Sequence, residues 1–183
     1  MDLTNKDFWN NFWVKFGDEI IALDAKNALS YDIPKEEQIR ASLYSYLSNS
    51  SVLVELESDF RKDENSQINE IDLRILGDNK NYLVETKRAW ALDGWYNKYG
   101  EYLADWKNDI EKLEIAAKQQ TKQTLRCFFL TVFFDSNNLF ERLKLNEINA
   151  YIMEKWGKET SKLELDQFKF GNKNCRDYLW VEM

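Results

Sequence analysis

Residues 125–134 read LRCFFLTVFF, apolar throughout except for Arg126 and Thr131. A strand of that kind has no face to give to water. It belongs in the middle of a sheet that is covered on both sides. Helices must supply the covers and other strands the flanks. With 183 residues, of which 44% are apolar and 15% aromatic, the chain suits one domain and excludes disorder. A domain of that size buries roughly 70% of its unfolded surface.

The remaining segments supply covers and flanks. Residues 4–28 have helical spacing, with Phe8, Phe12, Trp13 and Phe16 on one stripe. Pro34 opens a second helix over about 34–48, since proline is tolerated in a first turn. SVLVELESDF, residues 51–60, is a strand, and 61–68 a polar loop. Residues 96–121 form a long helix with Tyr99, Leu103, Trp106, Ile110, Leu113 and Ala117 inward. DSNN caps another helix over about 138–157, and residues 163–183 give one or two strands. Six glycines, one proline and no internal repeat leave no domain boundary. The order predicts an α/β fold of three layers, α/β/α, around a central mixed sheet.

Residues 70–90, EIDLRILGDNKNYLVETKRAW, alternate apolar and polar around the turn signal GDNK. With Asp78 and Asn79 as the two loop residues, Asp72 falls opposite Glu85 and Glu70 opposite Lys87. One face then carries Glu70, Asp72, Arg74, Glu85 and Lys87. The other carries Ile71, Leu73, Ile75, Tyr82, Val84 and Thr86. Glu70 and Lys87 make an ordinary cross-strand ion pair. Asp72 and Glu85 do not, because like charges placed opposite destabilise a strand pair. At about 5 Å and an effective dielectric of about 20 the repulsion is roughly 3 kcal/mol. A hard divalent cation, which prefers oxygen ligands, is the economical compensation.

The chain has no histidine, which excludes Ser-His-Asp and Cys-His catalysis and histidine zinc sites. Its net charge of −7 argues against tight nonspecific nucleic-acid binding while leaving room for a local basic surface. Two cysteines, Cys127 and Cys175, make no disulfide framework, and an intracellular, cytoplasmic location is the default. No apolar run approaches the ~18 residues of a membrane span. The first residues, MDLTNKDFWNNFW, lack the basic start and apolar block of a secretory leader.

The stretch EIDLRI followed by YLVETKRA resembles the catalytic core of the PD-(D/E)xK nuclease superfamily, the restriction-endonuclease-like fold. The pattern is an Asp on one strand and Glu-x-Lys on the next: Asp72, Glu85 and Lys87 here. The order helix, three strands, helix, strand over about 34–134 resembles the family core as well. The proline that often precedes the Asp is absent, Ile71 standing in its place. The resemblance implies that Asp72 and Glu85 hold Mg²⁺, with Mn²⁺ as an alternative. Lys87 would orient or help deprotonate the attacking water, and a further acid would come from the preceding helix. Helix phase favours Glu36, since Ile39, Leu43 and Leu47 set the inward stripe and Glu37 lies about 100° around. Glu37 stays open, and Glu57 and Glu70 are additional acids. DNA is the implied substrate, RNA remains open, and a homodimer is compatible with the family.

Arg88, Lys98 and Lys107 are candidate phosphate contacts beside Lys87. Lys118, Lys122 and Arg126 make a second basic group, which reads better as an ordinary solvated face. Trp90, Trp95 and Tyr96 fit packing better than a cleft border, and helix phase leaves Arg40 and Tyr44 open. Two functions follow from the residues. One is a Mg²⁺-dependent nuclease cutting DNA phosphodiesters. The alternative is a catalytically idle nuclease-like domain that serves as a binding, immunity or regulatory protein.

Overall fold

A computed structural model describes residues 5, 7–8, 10–12, 14–15, 36–49, 52–61, 68–77, 80–91, 99–134, 139–157, 160–164, 168–170 and 173–182. The elements are α1 (Glu36–Ser48), β1 (Leu53–Arg61), β2 (Ile68–Leu76), β3 (Asn81–Ala91), α2 (Tyr99–Lys118), β4 (Thr124–Phe134), α3 (Leu139–Trp156), β5 (Thr160–Glu164), β6 (Phe168–Phe170) and β7 (Lys173–Glu182). Residues 7–8, 10–12 and 14–15 are helical. Asn5 stands before the helix and not in it, its Oδ1 accepting from the Asp7 backbone N–H at 2.9 Å, and the remaining residues of the helix expected over 4–28 lie outside the described set.

The seven strands form one open mixed sheet in the order β1-β2-β3-β4-β7-β5, with β6 also paired to β7. The apolar run of β4 sits in its interior, parallel to β3 and antiparallel to β7. A parallel pair cannot be joined by a tight turn, and α2 supplies the crossover between β3 and β4. The tail contributes three strands rather than one or two. β7 inserts next to β4, while β5 and β6 pair with opposite ends of β7.

Both faces of the sheet are covered. On one, Ile39, Leu43 and Leu47 of α1, with Phe12, pack on Leu73, Ile75, Tyr82, Val84 and Phe129. On the other, Trp106, Ile110 and Leu113 of α2 and Ile148 and Ile152 of α3 pack on Leu83, Phe128, Leu130 and Trp180. The central strand is buried from both directions, with Cys127 to Leu130 at zero exposure. Burial also pushes the Cys127 thiol up, keeping it inert packing. Among the described residues no helix is long and apolar enough to cross a membrane.

The hairpin register is Leu73↔Val84, Arg74↔Leu83, Ile75↔Tyr82 and Leu76↔Asn81. Its tip residues, 78–79, lie outside the described set, but Gly77 is needed there. A Cβ at that position would stand 2.6 Å from the Lys80 carbonyl oxygen. The β2–β3 ladder stops at Leu73↔Val84, and β1–β2 omits the level of Glu57 and Asp72 between Leu56↔Leu73 and Ser58↔Ile71. Glu57 has a positive φ of 52°, a conformation that bends a strand locally. Strict alternation therefore fails at Asp72. Leu73 and Ile75 face α1, whereas Ile71 joins the α2 cluster. This corrects the expectation that Ile71 shares a face with Leu73 and Ile75.

Candidate active site

The break in β2 frees Asp72 to act as a bridge between strands. Its Oδ2 accepts hydrogen bonds from the Thr86 backbone N–H at 2.8 Å and the Thr86 hydroxyl at 2.7 Å. The N–H bond replaces a missing ladder rung with a side-chain oxygen. Asp72 Oδ1 accepts from Arg40 Nη1 of α1 at 2.8 Å. Arg40 Nη2 meets Glu57 Oε1 at 3.0 Å. Strand break, helix and edge strand thus converge on one carboxylate.

Glu85 and Lys87 follow on β3 and point to the α2 face, as alternation around Thr86 requires. Lys87 Nζ donates to Glu36 Oε1 at 3.0 Å and lies 3.1 Å from Asp109 Oδ2 of α2. Asp109 Oδ1 is 2.6 Å from Lys112 Nζ. Lys112 Nζ in turn stands 3.8 Å from Glu85 Oε1. That separation is an ion pair and not a hydrogen bond, and Glu85 Oε1 is buried with no hydrogen-bond partner. Acids and bases therefore alternate in a string from Glu36 through Lys87, Asp109 and Lys112 to Glu85.

Burial raises the Glu85 carboxyl well above its ordinary value, and the Asp72 charge adds to the effect. Lys112 opposes it without cancelling it. Burial also raises Glu36, against the pull of Lys87. Burial by itself would lower the Lys87 ammonium, but Asp109, Glu36 and Glu85 overcome it and hold Lys87 above its ordinary value. Lys87 is accordingly a cation at neutral pH, a donor and not a proton acceptor.

The other candidates are distributed more widely. Glu37 is exposed and lines a recess of about 370 Å³ together with Glu36, Lys87, Arg88 and the α2 residues Tyr102, Asp105 and Trp106. Glu57 is held by Arg40. Glu70 is exposed and its level of β2 pairs with Asp59 of β1. The expected Glu70–Lys87 pair does not form, because the β2–β3 ladder has ended before that level and Lys87 turns to α1 and α2. Lys107 lies 4.9 Å over the Tyr151 ring of α3, away from the carboxylates. Lys98, Trp95, Tyr96 and the side chain of Trp90 lie outside the described residues. Tyr44 packs against the α1-side core.

The second basic group is structural in its contacts. Lys118 pairs with Glu114, and Lys122 donates to the Gly77 carbonyl. Arg126 makes a two-pronged pair with Glu182 and lies 5.2 Å over the Trp156 ring.

Asp109 and Lys112 are site residues that pattern reading passed over. The signal was available: Asp109 sits three residues after Trp106 and four before Leu113, inside the apolar stripe of α2. A charged residue in such a stripe needs a buried partner. Arg40, left open by helix phase, is settled by its contact with Asp72.

Asp72, Glu85 and Glu36 are the residues that could hold a divalent metal. Among the described residues, no three acidic, histidine or cysteine side chains stand ready to enclose an ion. Arg40 engages Asp72, and Lys87 engages Glu36. The donor chemistry nevertheless fits a hard cation, since all three groups offer oxygen. Glu85 Oε1 is an oxygen with no donor of its own. No protein-family model matches the chain, and neither a curated protein nor a solved structure matches it.

Proposed function

We propose that the chain is a metal-dependent nuclease of the PD-(D/E)xK kind, a three-layer α/β/α restriction-endonuclease-like domain that hydrolyses DNA phosphodiester bonds. The supporting arrangement is α1-β1-β2-β3-α2-β4 with Asp72 on β2 and Glu85 and Lys87 on β3. The observation that carries the reading is the buried, donorless oxygen of Glu85 in the field of Asp72. Each such buried atom calls for an explanation, and a hard cation supplies one for a carboxylate oxygen.

Asp72 and Glu85 would hold Mg²⁺ or Mn²⁺, which when bound would polarise the phosphodiester and activate a water. Lys87, fixed between Glu36 and Asp109, donates hydrogen bonds to the attacking water or to a phosphate oxygen and offsets negative charge there. Glu36, whose carboxyl burial raises, is suited to accept the proton that the water loses as its oxygen bonds to phosphorus and the P–O ester bond breaks, the leaving oxygen taking a proton from solvent. The recess beside Lys87, with Arg88 on its wall, gives the backbone a place to approach.

The test is cleavage of plasmid, single-stranded DNA and RNA with Mg²⁺ or Mn²⁺, against Glu85→Gln. Glu85→Gln is a cleaner control than Asp72→Asn, because an amide nitrogen at Asp72 would face either Arg40 or the Thr86 donors. Metal-dependent cutting of DNA by the wild type, lost at least about 100-fold in Glu85→Gln, is the expected outcome. No cutting of any substrate, with no metal bound by calorimetry, would sink the reading. That result would favour the idle, binding-domain alternative, which the pairing of Asp72 with Arg40 and of Glu36 with Lys87 supports.

A further inference from the structure

Lys112 is placed unusually for a counter-ion. It lies near enough to Glu85 Oε1 to feel its charge, at 3.8 Å, but too far to donate a hydrogen bond. Asp109 holds it off: the Asp109 Oδ1 contact, at 2.6 Å, is far shorter. Asp109 is 5% exposed and grips a second ammonium, Lys87, with its other oxygen. One buried carboxylate therefore stations a lysine beside a buried oxygen that no donor reaches.

We propose that Lys112 is a resident cation for Glu85, tethered by Asp109, which competes with divalent metal for that carboxylate and sets the metal affinity of the site. The inference rests on the metal-dependent reading above. An untethered lysine would close on Glu85 and hydrogen-bond it, as Lys112 already does to Asp109. The tether prevents this, so Glu85 is partly neutralised while its oxygen stays available to an incoming ion. Metal arrival then leaves Lys112 on Asp109, where it already sits, without expelling it into solvent. Lys87 keeps its place meanwhile, because it is held by the other Asp109 oxygen. Asp109 is a positioning residue on this account, and Lys112 acts through charge.

The test is Mg²⁺ titration calorimetry on the full chain, with circular dichroism to check folding. The chains are wild type, Lys112→Gln, Asp109→Asn and the double variant. Lys112→Gln is expected to bind Mg²⁺ about 30-fold more tightly, the scale of one charge about 4 Å from a dication in a water-like dielectric. Asp109→Asn is expected to bind about tenfold more weakly, because Lys112 is released onto Glu85. In the Lys112→Gln background, Asp109→Asn should lose most of its effect, which is the sign of coupling. Equal or weaker binding by Lys112→Gln overturns the proposal, as does an undiminished Asp109→Asn effect in the double variant. A wild type that binds no Mg²⁺ beside a Lys112→Gln that does would support the resident cation and sink wild-type metal-dependent cleavage. Binding by none of the chains overturns both. Should Lys112→Gln not fold, Lys112→Met, which keeps the aliphatic stem, replaces it in the same comparison.

Discussion

Glu85 is 1% exposed, lies in the field of Asp72 and has an oxygen without a donor. Folding raises its carboxyl above the ordinary value of 4.5. Between that value and the raised one, the folded chain binds more protons than the unfolded chain. Stability therefore falls as pH rises through this window and levels off above it. In metal-free buffer, Glu85→Gln is expected to gain on wild type in stability as pH rises from 4.5, by roughly 1–3 kcal/mol once the window is passed, the range for a buried group left unpaired. Urea melts from pH 4.5 upward measure it, and a stability difference that does not change with pH would contradict the buried-charge account. At this scale strand alternation put Asp72, Glu85 and Lys87 on one expected face, and the nuclease resemblance implied an acid on the preceding helix, for which helix phase favoured Glu36. Asp109 escaped because it is one charged position in an apolar stripe, and its meaning depends on which strand lies beneath.

The elements owe their positions to apolar stripes that were readable, that of α2 among them. Leu113 has zero exposure in the core beneath α2, one position from Lys112. Leu113→Ala is expected to cost about 2–5 kcal/mol and to loosen the Lys112 and Asp109 contacts with it. Denaturant melts give the first quantity. Gly157 ends α3 with a positive φ of 85° and its N–H on the Met153 carbonyl at 3.0 Å, a common helix stop. What alternation could not convey is the switch at Asp72. The letters still alternate through EIDLRI, so the count is undisturbed while the backbone turns over. Only the strained Glu57 on the neighbouring strand, and the Asp72 bond to the Thr86 N–H, reveal it.

At the scale of the molecule, the central position of β4 was legible because a strand apolar on both faces has one place to go. The insertion of β7 beside β4 was not, since strand order depends on long-range pairing that local pattern does not encode. The site spans α1, β2, β3 and α2, so an ion held there ties both covers to the sheet. Mg²⁺ at about 100 times its dissociation constant should stabilise the fold by about 2.7 kcal/mol. For a chain of this size that raises Tm by about 5–10 °C. Differential scanning calorimetry reads the shift, and Glu85→Gln should abolish it. An unchanged wild-type Tm at saturating Mg²⁺ would deny the ion a place in the fold.

The Asp72 bond to the Thr86 N–H has a consequence for inheritance. Under the proposed nuclease reading, a descendant that lost the activity would still need that oxygen to bridge its two strands and to anchor Arg40. Asp72 would outlast the chemistry, and its persistence in a related chain would be no sign of a working enzyme. Glu85 would be the first to drift, because nothing donates to its buried oxygen and neutral residues fit there at less cost.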